Sequence, residues 1–301
     1  MKFYSSAYNI WPNDERERKA FCQALSEREW IGGIELGFAD HISWPEGFDP
    51  SLPAIVSGIP GTMHYNSSYP SFGLASKDEA GRRAALDWVR QGYRDIIALQ
   101  DAGYTIRALQ LHSAPTMGAH NEAFERSLDE IASWEWGSTH IWIEHCDAAI
   151  DGQEPNKGYL HVDEEISIAR TLHERYAERG FNLVINWARS AIEGRDIATG
   201  IDHISRAAES GLLVHVGLSS CSDQTTDFGP AWTDAHLPFA HTTAAPNSSL
   251  LDADEIRRCY DLAGDVTWGI KVGIRPADQP YQTLLATLDE QAELVLSAIS
   301  Q

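Results

Sequence analysis

Cysteine is scarce in this chain, and the few present do not pair by spacing. Among 301 residues only Cys22, Cys146, Cys221 and Cys259 occur, with no C-x-x-C pair, which argues against a zinc knuckle or a redox dithiol and fits a cytoplasmic protein with reduced thiols. Long apolar runs are missing too: no stretch approaches the roughly 18 uncharged residues of a membrane span. The opening Met1-Lys2-Phe3-Tyr4-Ser5-Ser6-Ala7-Tyr8 reads as a first strand and lacks the apolar segment and small-residue cleavage site of a signal peptide. Basic residues are in the minority, 23 against 44 acidic ones, for a net charge of −21. Such a field repels nucleic acid and anionic membranes. No G-x-G-x-x-G or G-x-x-x-x-G-K-[ST] follows any strand-like run, so a dinucleotide or P-loop site has no support. Low-complexity tracts, linkers and sequence repeats are absent as well.

What the chain does have is a strand–loop–helix pattern repeated eight times. In six of the strands a polar or ionisable residue lies opposite the aliphatic ones: Gly33–Phe38, Ile106–His112, Ile141–His145, Leu183–Asn186, Leu212–Gly217 and Val266–Gly273. Strand side chains alternate faces, so Glu35, Gln110, His112, Glu144, Asn186, His215 and Lys271 should share one face, with Leu213 on the same side as His215. Strict alternation of strands and helices implies parallel strands with right-handed crossovers. Eight units in about 300 residues favour a single (β/α)8 TIM barrel spanning 1–301, an α/β fold with its functional groups at the C-terminal strand ends. Helices are expected near 14–28, 77–102, 121–134, 163–179, 195–209 and 252–263, with a last one carrying Tyr281, Leu284, Leu288 and Val295 on one face. Three connections, 39–52, 59–76 and 218–250, are long enough to be rim loops.

The ionisable residues on the shared face carry the candidate chemistry. Glu144, at the end of strand 5, can shuttle a proton or ligate a metal, or form only a buried ion pair. Lys271 has Gly269 and Gly273 on its own face, which leaves space for a ligand whose oxyanion or carboxylate it would neutralise, unless it merely pairs with Glu144. His215, near Gly217, Ser219 and Ser220, is either a satisfied core histidine or a cavity residue. Glu35, His112 and Asn186 complete the inward set. The loop after strand 7 adds Trp232, Asp234 and His236, which reach over the barrel mouth or simply cap a turn. Arg275, after strand 8, sits where barrels often bind phosphate.

With these residues laid out, the chain resembles the xylose isomerase-like TIM barrel superfamily of sugar isomerases, sugar-phosphate epimerases and endonuclease-IV-like proteins. More closely it looks like an uncharacterised bacterial branch of that group. The matching stretches are Gly33-Ile34-Glu35-Leu36, Ile141-Trp142-Ile143-Glu144 and Val214-His215-Val216, with Thr62-Met63-His64-Tyr65 similar to the family's rim histidine. The resemblance implies carbohydrate metabolism and a small-molecule sugar substrate, with His64, Asn186 and Arg189 among the binding residues. It also implies one divalent metal (Mn, Mg or Zn), held by Glu144 and His215. Where family members carry an aspartate on strand 6 and a glutamate on strand 8, however, this chain has Asn186 and Lys271. The alternative is therefore no metal, with the Lys271 ammonium standing in for its charge. Homo-oligomers are common in such barrels.

The leading expectation is a sugar or keto-sugar isomerase or epimerase acting by proton transfer beside a carbonyl. Glu144 would be the base, and Lys271, His215 and His112 the groups that hold the enediolate and complete the acid–base set. Glu35, Asp234, His236, Trp232 and Arg275 would contact substrate. The alternatives are a metal-dependent sugar lyase or hydrolase on the same barrel and a non-catalytic sugar-binding barrel. An endonuclease-IV-like role fits neither the ligand set nor the charge.

Overall fold

The computed structural model describes residues 1–300, so Gln301, the last residue of the expected barrel span, lies outside it. Eight short apolar segments form parallel strands: β1 (Phe3–Ser5), β2 (Ile31–Gly37), β3 (Ala54–Ser57), β4 (Ile106–Leu111), β5 (His140–His145), β6 (Asn182–Asn186), β7 (Leu213–Leu218) and β8 (Thr267–Ile270). They close into a barrel in chain order, β8 pairing back onto β1 through Phe3↔Trp268 and Ser5↔Ile270. Alternation sorts their side chains. Tyr4, Ile55, Ala108, Trp142 and Val184 meet in one cluster inside the barrel, while Phe3, Ile34, Val56, Leu109, Ile143, Ile185 and Trp268 join the larger cluster between barrel and helices. Two residues beyond that interior cluster, the chain delivers Ser57, Gln110, Glu144 and Asn186 to the mouth, all buried.

One expected facing is corrected. The β6–β7 register shifts between Leu183↔Leu213 and Val184↔His215, so Val214 is the extra residue of a bulge. Leu213 consequently joins the outer cluster, Val214 packs against the inner one, and His215 still faces inward, its ring stacked 5.9 Å from Trp142.

The helices are α1 (Glu15–Ser26), α2 (Ile59–Ser68), α3 (Glu79–Asp101), α4 (Asn121–Ala132), α5 (Val162–Arg175), α6 (Trp187–Gly194), α7 (Ile197–Glu209), α8 (Ala253–Ala263) and α9 (Tyr281–Ile299). Asp14, Asp78, Asp196 and Asp252 begin α1, α3, α7 and α8 as N-caps whose carboxylates accept backbone N–H bonds. Two helices depart from the sequence expectation. The connection at 59–76 is not all loop but opens with α2, started by Pro60 in its first turn. Strand 6 does not run into a loop either. Asn186 ends β6 and is itself the N-cap of α6, its Oδ1 accepting from the Arg189 N–H at 3.3 Å. That turn without a loop swings Arg189 over the barrel. No helix among the described residues is long and apolar enough to cross a membrane.

Candidate active site at the barrel mouth

A cavity of about 330 Å³ opens at the C-terminal ends of the strands, lined by Tyr8, Met63, Lys157, Arg189, Asp234 and His236, with Asn9, Ile59 and Pro60. Its wall is a chain of buried ion pairs. Arg189 places Nη1 2.6 Å from Glu144 Oε1 and Nε 3.0 Å from Asp234 Oδ2. Lys157 pairs with the same Asp234 oxygen, and His236 Nδ1 lies 3.1 Å from Asp234 Oδ1. On the far side of Glu144, His112 Nε2 is 2.6 Å from Oε2. A second pair stands across the mouth, where Lys271 Nζ donates to Glu35 Oε1 at 2.8 Å and the Tyr8 hydroxyl donates to the same oxygen at 3.0 Å. The three carboxylates thus face three cations.

Burial would raise the Glu144 carboxyl, but the charges of Arg189 and Lys271 and the His112 hydrogen bond outweigh it and hold the group well below its usual range. Asp234 behaves likewise, burial being overcome by His236, Lys157 and Arg189. Glu35 is lowered because Lys271 prevails over burial. Burial opposes the charge on Lys271, yet Glu35, Tyr8 and Glu144 raise its affinity for the proton. The histidines go the other way. Burial lowers His112 and His236 despite their carboxylate neighbours and pushes His215 down to about 4.

The loop after β7 is shaped to bring its side chains in. His236 and Trp232 hold positive φ values of 53° and 56°, a conformation costly for non-glycine residues and concentrated at functional sites. The loop is tied down by Leu237 and Ser220, which exchange backbone bonds at 3.0 Å, and by Gly273 N–H donating to His236 O at 2.6 Å. Asn156, in the loop after β5, donates to Trp232 O at 2.8 Å and accepts from Asp234 N–H at 3.0 Å. Several buried polar atoms at the mouth have no protein partner: Ser57 Oγ, both amide atoms of Gln110, His112 Nδ1, Asn186 Nδ2 and Arg189 Nη2.

Of the expected site residues, Glu35, His112, Glu144, Asn186, Arg189, Asp234, His236 and Lys271 gather at this mouth. The pairing differs from expectation, since Lys271 salt-bridges Glu35 and Arg189 takes Glu144. His215 lies deeper, its Nδ1 2.8 Å from the Thr267 hydroxyl and its Nε2 over Gly269, where a Cβ would come within 2.8 Å. Three residues fall elsewhere. His64 is exposed on α2 against Tyr65, and it is its neighbour Met63 that lines the cavity. Trp232 borders a different, small cavity beside Glu193 and contributes its backbone carbonyl. Arg275 is exposed, donates to Ile274 O, and lines a separate groove with Gln279 and Glu290 on the α9 side. Lys157, Asn156 and Tyr8 were not singled out in the sequence. A lysine in a polar loop and a tyrosine beyond a short strand carry no motif.

The metal implied by the resemblance does not fit this mouth. Both Glu144 oxygens face fixed donors, and the Arg189 and Lys271 charges would repel a dication by several kcal/mol at intermediate dielectric.

The closed eight-stranded parallel barrel is a TIM barrel, similar in fold to solved xylose isomerase-like structures. Solved structures that share it include a candidate xylose isomerase of Rhodospirillum rubrum (TM-score 0.62, 9% identity, 99% of this chain and 98% of that one). Another is the 3-keto-D-glucoside 4-epimerase of E. coli (TM-score 0.56, 14% identity, 97% and 99%). A third is a D-psicose 3-epimerase (TM-score 0.55, 12% identity, 99% and 97%). Within that class the chain belongs to the family described as Domain of unknown function (DUF4862), which it matches over residues 5–287. An uncharacterised protein of Salmonella typhimurium LT2 is 36% identical over 252 residues, 79% of this chain and 77% of the relative.

Proposed function

We propose that this protein is an isomerase or epimerase of uncharged sugars or keto-sugars that moves a proton beside the substrate carbonyl without a metal at the barrel mouth. The observation that carries this reading is a cavity walled by fixed ion pairs and lined by Arg189 with an unpartnered Nη2, set at the strand ends where Ser57, Gln110 and Asn186 also hold buried polar atoms without partners. Buried polar groups without partners are costly, and a polyhydroxylated ligand offers both donors and acceptors to satisfy them. The carboxylates and cations at the mouth balance, which suits a neutral substrate better than a phosphorylated one. With Arg275 in a separate groove, no extra cation is left over for phosphate.

Chemistry of this kind needs a base for the carbon acid and a fixed positive charge for the enediolate oxygen. The sequence expectation placed Glu144 as base. Both its oxygens are engaged, by Arg189 and by His112, and its role here is to fix those two groups. His236 suits the task better. It lines the cavity, burial favours its neutral form, and its Nδ1 lies 3.1 Å from Asp234 Oδ1. In this scheme His236 takes the proton from the carbon next to the carbonyl. The unpartnered Nη2 of Arg189, with Lys157 beside it, stabilises the oxygen that becomes negative. The Tyr8 hydroxyl, its proton held tightly by burial, donates to a substrate oxygen.

The test is a panel of D-fructose, D-psicose, D-tagatose and a 3-keto-D-glucoside followed by NMR for new sugar signals. Conversion by the native chain that is lost in Arg189→Met supports the reading. Thermal stabilisation by these sugars with no conversion of any would replace it with a binding barrel.

A further inference from the structure

We propose that His145, Glu193 and His203 form a binding site for a zinc-class divalent cation outside the barrel, pinning α6 between β5 and α7. His145 ends β5 directly after Glu144, so alternation turns it away from the mouth into the layer between strands and helices, where it is fully buried. One donor atom from each of the three residues lies within 4.8 Å of the others.

The donors are close enough to share a centre. His145 Nε2 is 3.1 Å from Glu193 Oε2, and His203 Nε2 is 3.6 Å from the other oxygen, Oε1. Zinc bonded at about 2.0–2.1 Å in a tetrahedron holds its ligand atoms about 3.3 Å apart, so donors now within 4.8 Å of one another draw in on binding. The ring orientation of His145 is set from behind, since its Nδ1 lies 2.7 Å from Glu165 Oε2 while Glu165 Oε1 accepts the Ser113 hydroxyl at 2.5 Å. A carboxylate behind a histidine is the arrangement that orients metal-ligating imidazoles. Glu193 is steadied by the Ala148 N–H at 2.7 Å.

His203 supplies the independent observation. It is 3% exposed, its Nδ1 has no partner, and its Nε2 stands at 3.6 Å from Glu193, beyond hydrogen-bond reach. A proton on His145 shared between Glu165 and Glu193 satisfies that histidine but leaves His203 unsatisfied. A cation between the three gives His203 Nε2 a partner as well. The site bears on the barrel mouth through α6, where Glu193 follows Arg189 by four residues, so a cation on Glu193 fixes the helix that presents the guanidinium.

The experiment is equilibrium dialysis of the chelator-stripped full chain against micromolar Zn²⁺, with metal content by mass spectrometry and a parallel titration with Co²⁺. The expected result is about one metal per chain and visible Co²⁺ absorption of tetrahedral intensity. Melting should rise by about 4 °C at a hundredfold excess over Kd. Glu144→Gln should keep the metal and His203→Gln should weaken it by more than about a hundredfold. Native protein that retains no zinc and shows no Co²⁺ band overturns the proposal whatever the variants do. So does metal that persists in His203→Gln but leaves in Glu144→Gln, which would place it at the mouth.

Discussion

Replacing Lys271 by Met tests whether the mouth is held by paired charges. Lys271 is 2% exposed, and its ammonium has one carboxylate at 2.8 Å, that of Glu35, whose Oε1 also accepts the Tyr8 hydroxyl. Methionine keeps the apolar stem and removes the charge, stranding a buried carboxylate with a single neutral donor. Removing one member of a buried pair costs about 3–5 kcal/mol. With an unfolding entropy of roughly 2.1 cal/mol/K per residue, a chain of 301 residues loses about 1 °C of Tm per 0.6 kcal/mol. The expected drop is therefore about 5–8 °C by differential scanning calorimetry, with a matching fall in the urea midpoint. The double variant Lys271→Met/Glu35→Gln removes both charges and leaves an amide carbonyl that still accepts from Tyr8, so it should recover at least about half of the loss. A single variant within about 1 °C of the native Tm, or a double variant no better than the single, would refute the pairing argument.

Two further predictions concern His215. At Gly269 an added Cβ meets His215 Nε2 at 2.8 Å, whereas at Gly273 the nearest atoms are at an ordinary 3.5 Å. Gly269→Ala should therefore destabilise by about 1–3 kcal/mol and Gly273→Ala by much less, measured by urea unfolding; equal effects would contradict the packing described. The second follows from burial, which holds the His215 imidazole neutral with its folded value near 4 against 6.5 in the unfolded chain. The unfolded state then binds the extra proton, so this stability is present above pH 6.5 and is lost as pH falls toward 4. The loss from His215 amounts to about 2 kcal/mol between about pH 7 and 5. His112 and His236 shift in the same direction, so His215→Gln should flatten the acid limb only partly; parallel curves for the two proteins would remove His215 from the account.

The barrel was legible because the period of two survives toward the C-terminal end of most strands. The polar residue opposite the aliphatics in β2, β4, β5 and β6 pointed to the mouth from the sequence alone. Direction along a strand, however, says nothing of height or of partners across the barrel. The pair expected between Lys271 and Glu144 is instead Lys271 with Glu35, and the guanidinium that takes Glu144 comes from α6. That helix was hidden because its N-cap, Asn186, is the last residue of a strand, leaving no loop to announce it. At Leu213 a bulge displaced the alternation by one residue, and a single inserted residue has no signature in hydrophobicity. The loop after β7 showed only as a long, polar segment, and its reach into the cavity depends on left-handed backbone at Trp232 and His236, which neither residue type advertises.

The most direct test of the proposed chemistry is hydrogen exchange at carbon. D-fructose and D-psicose incubated in D2O with the native chain should lose the NMR signal of the proton beside the carbonyl or its epimeric position. His236→Gln, with unchanged melting behaviour, should slow that loss by about 10²–10⁴-fold. Exchange by His236→Gln at the native rate, or sugar conversion by the native chain with no deuterium entering the product, would contradict proton transfer through His236 at this mouth.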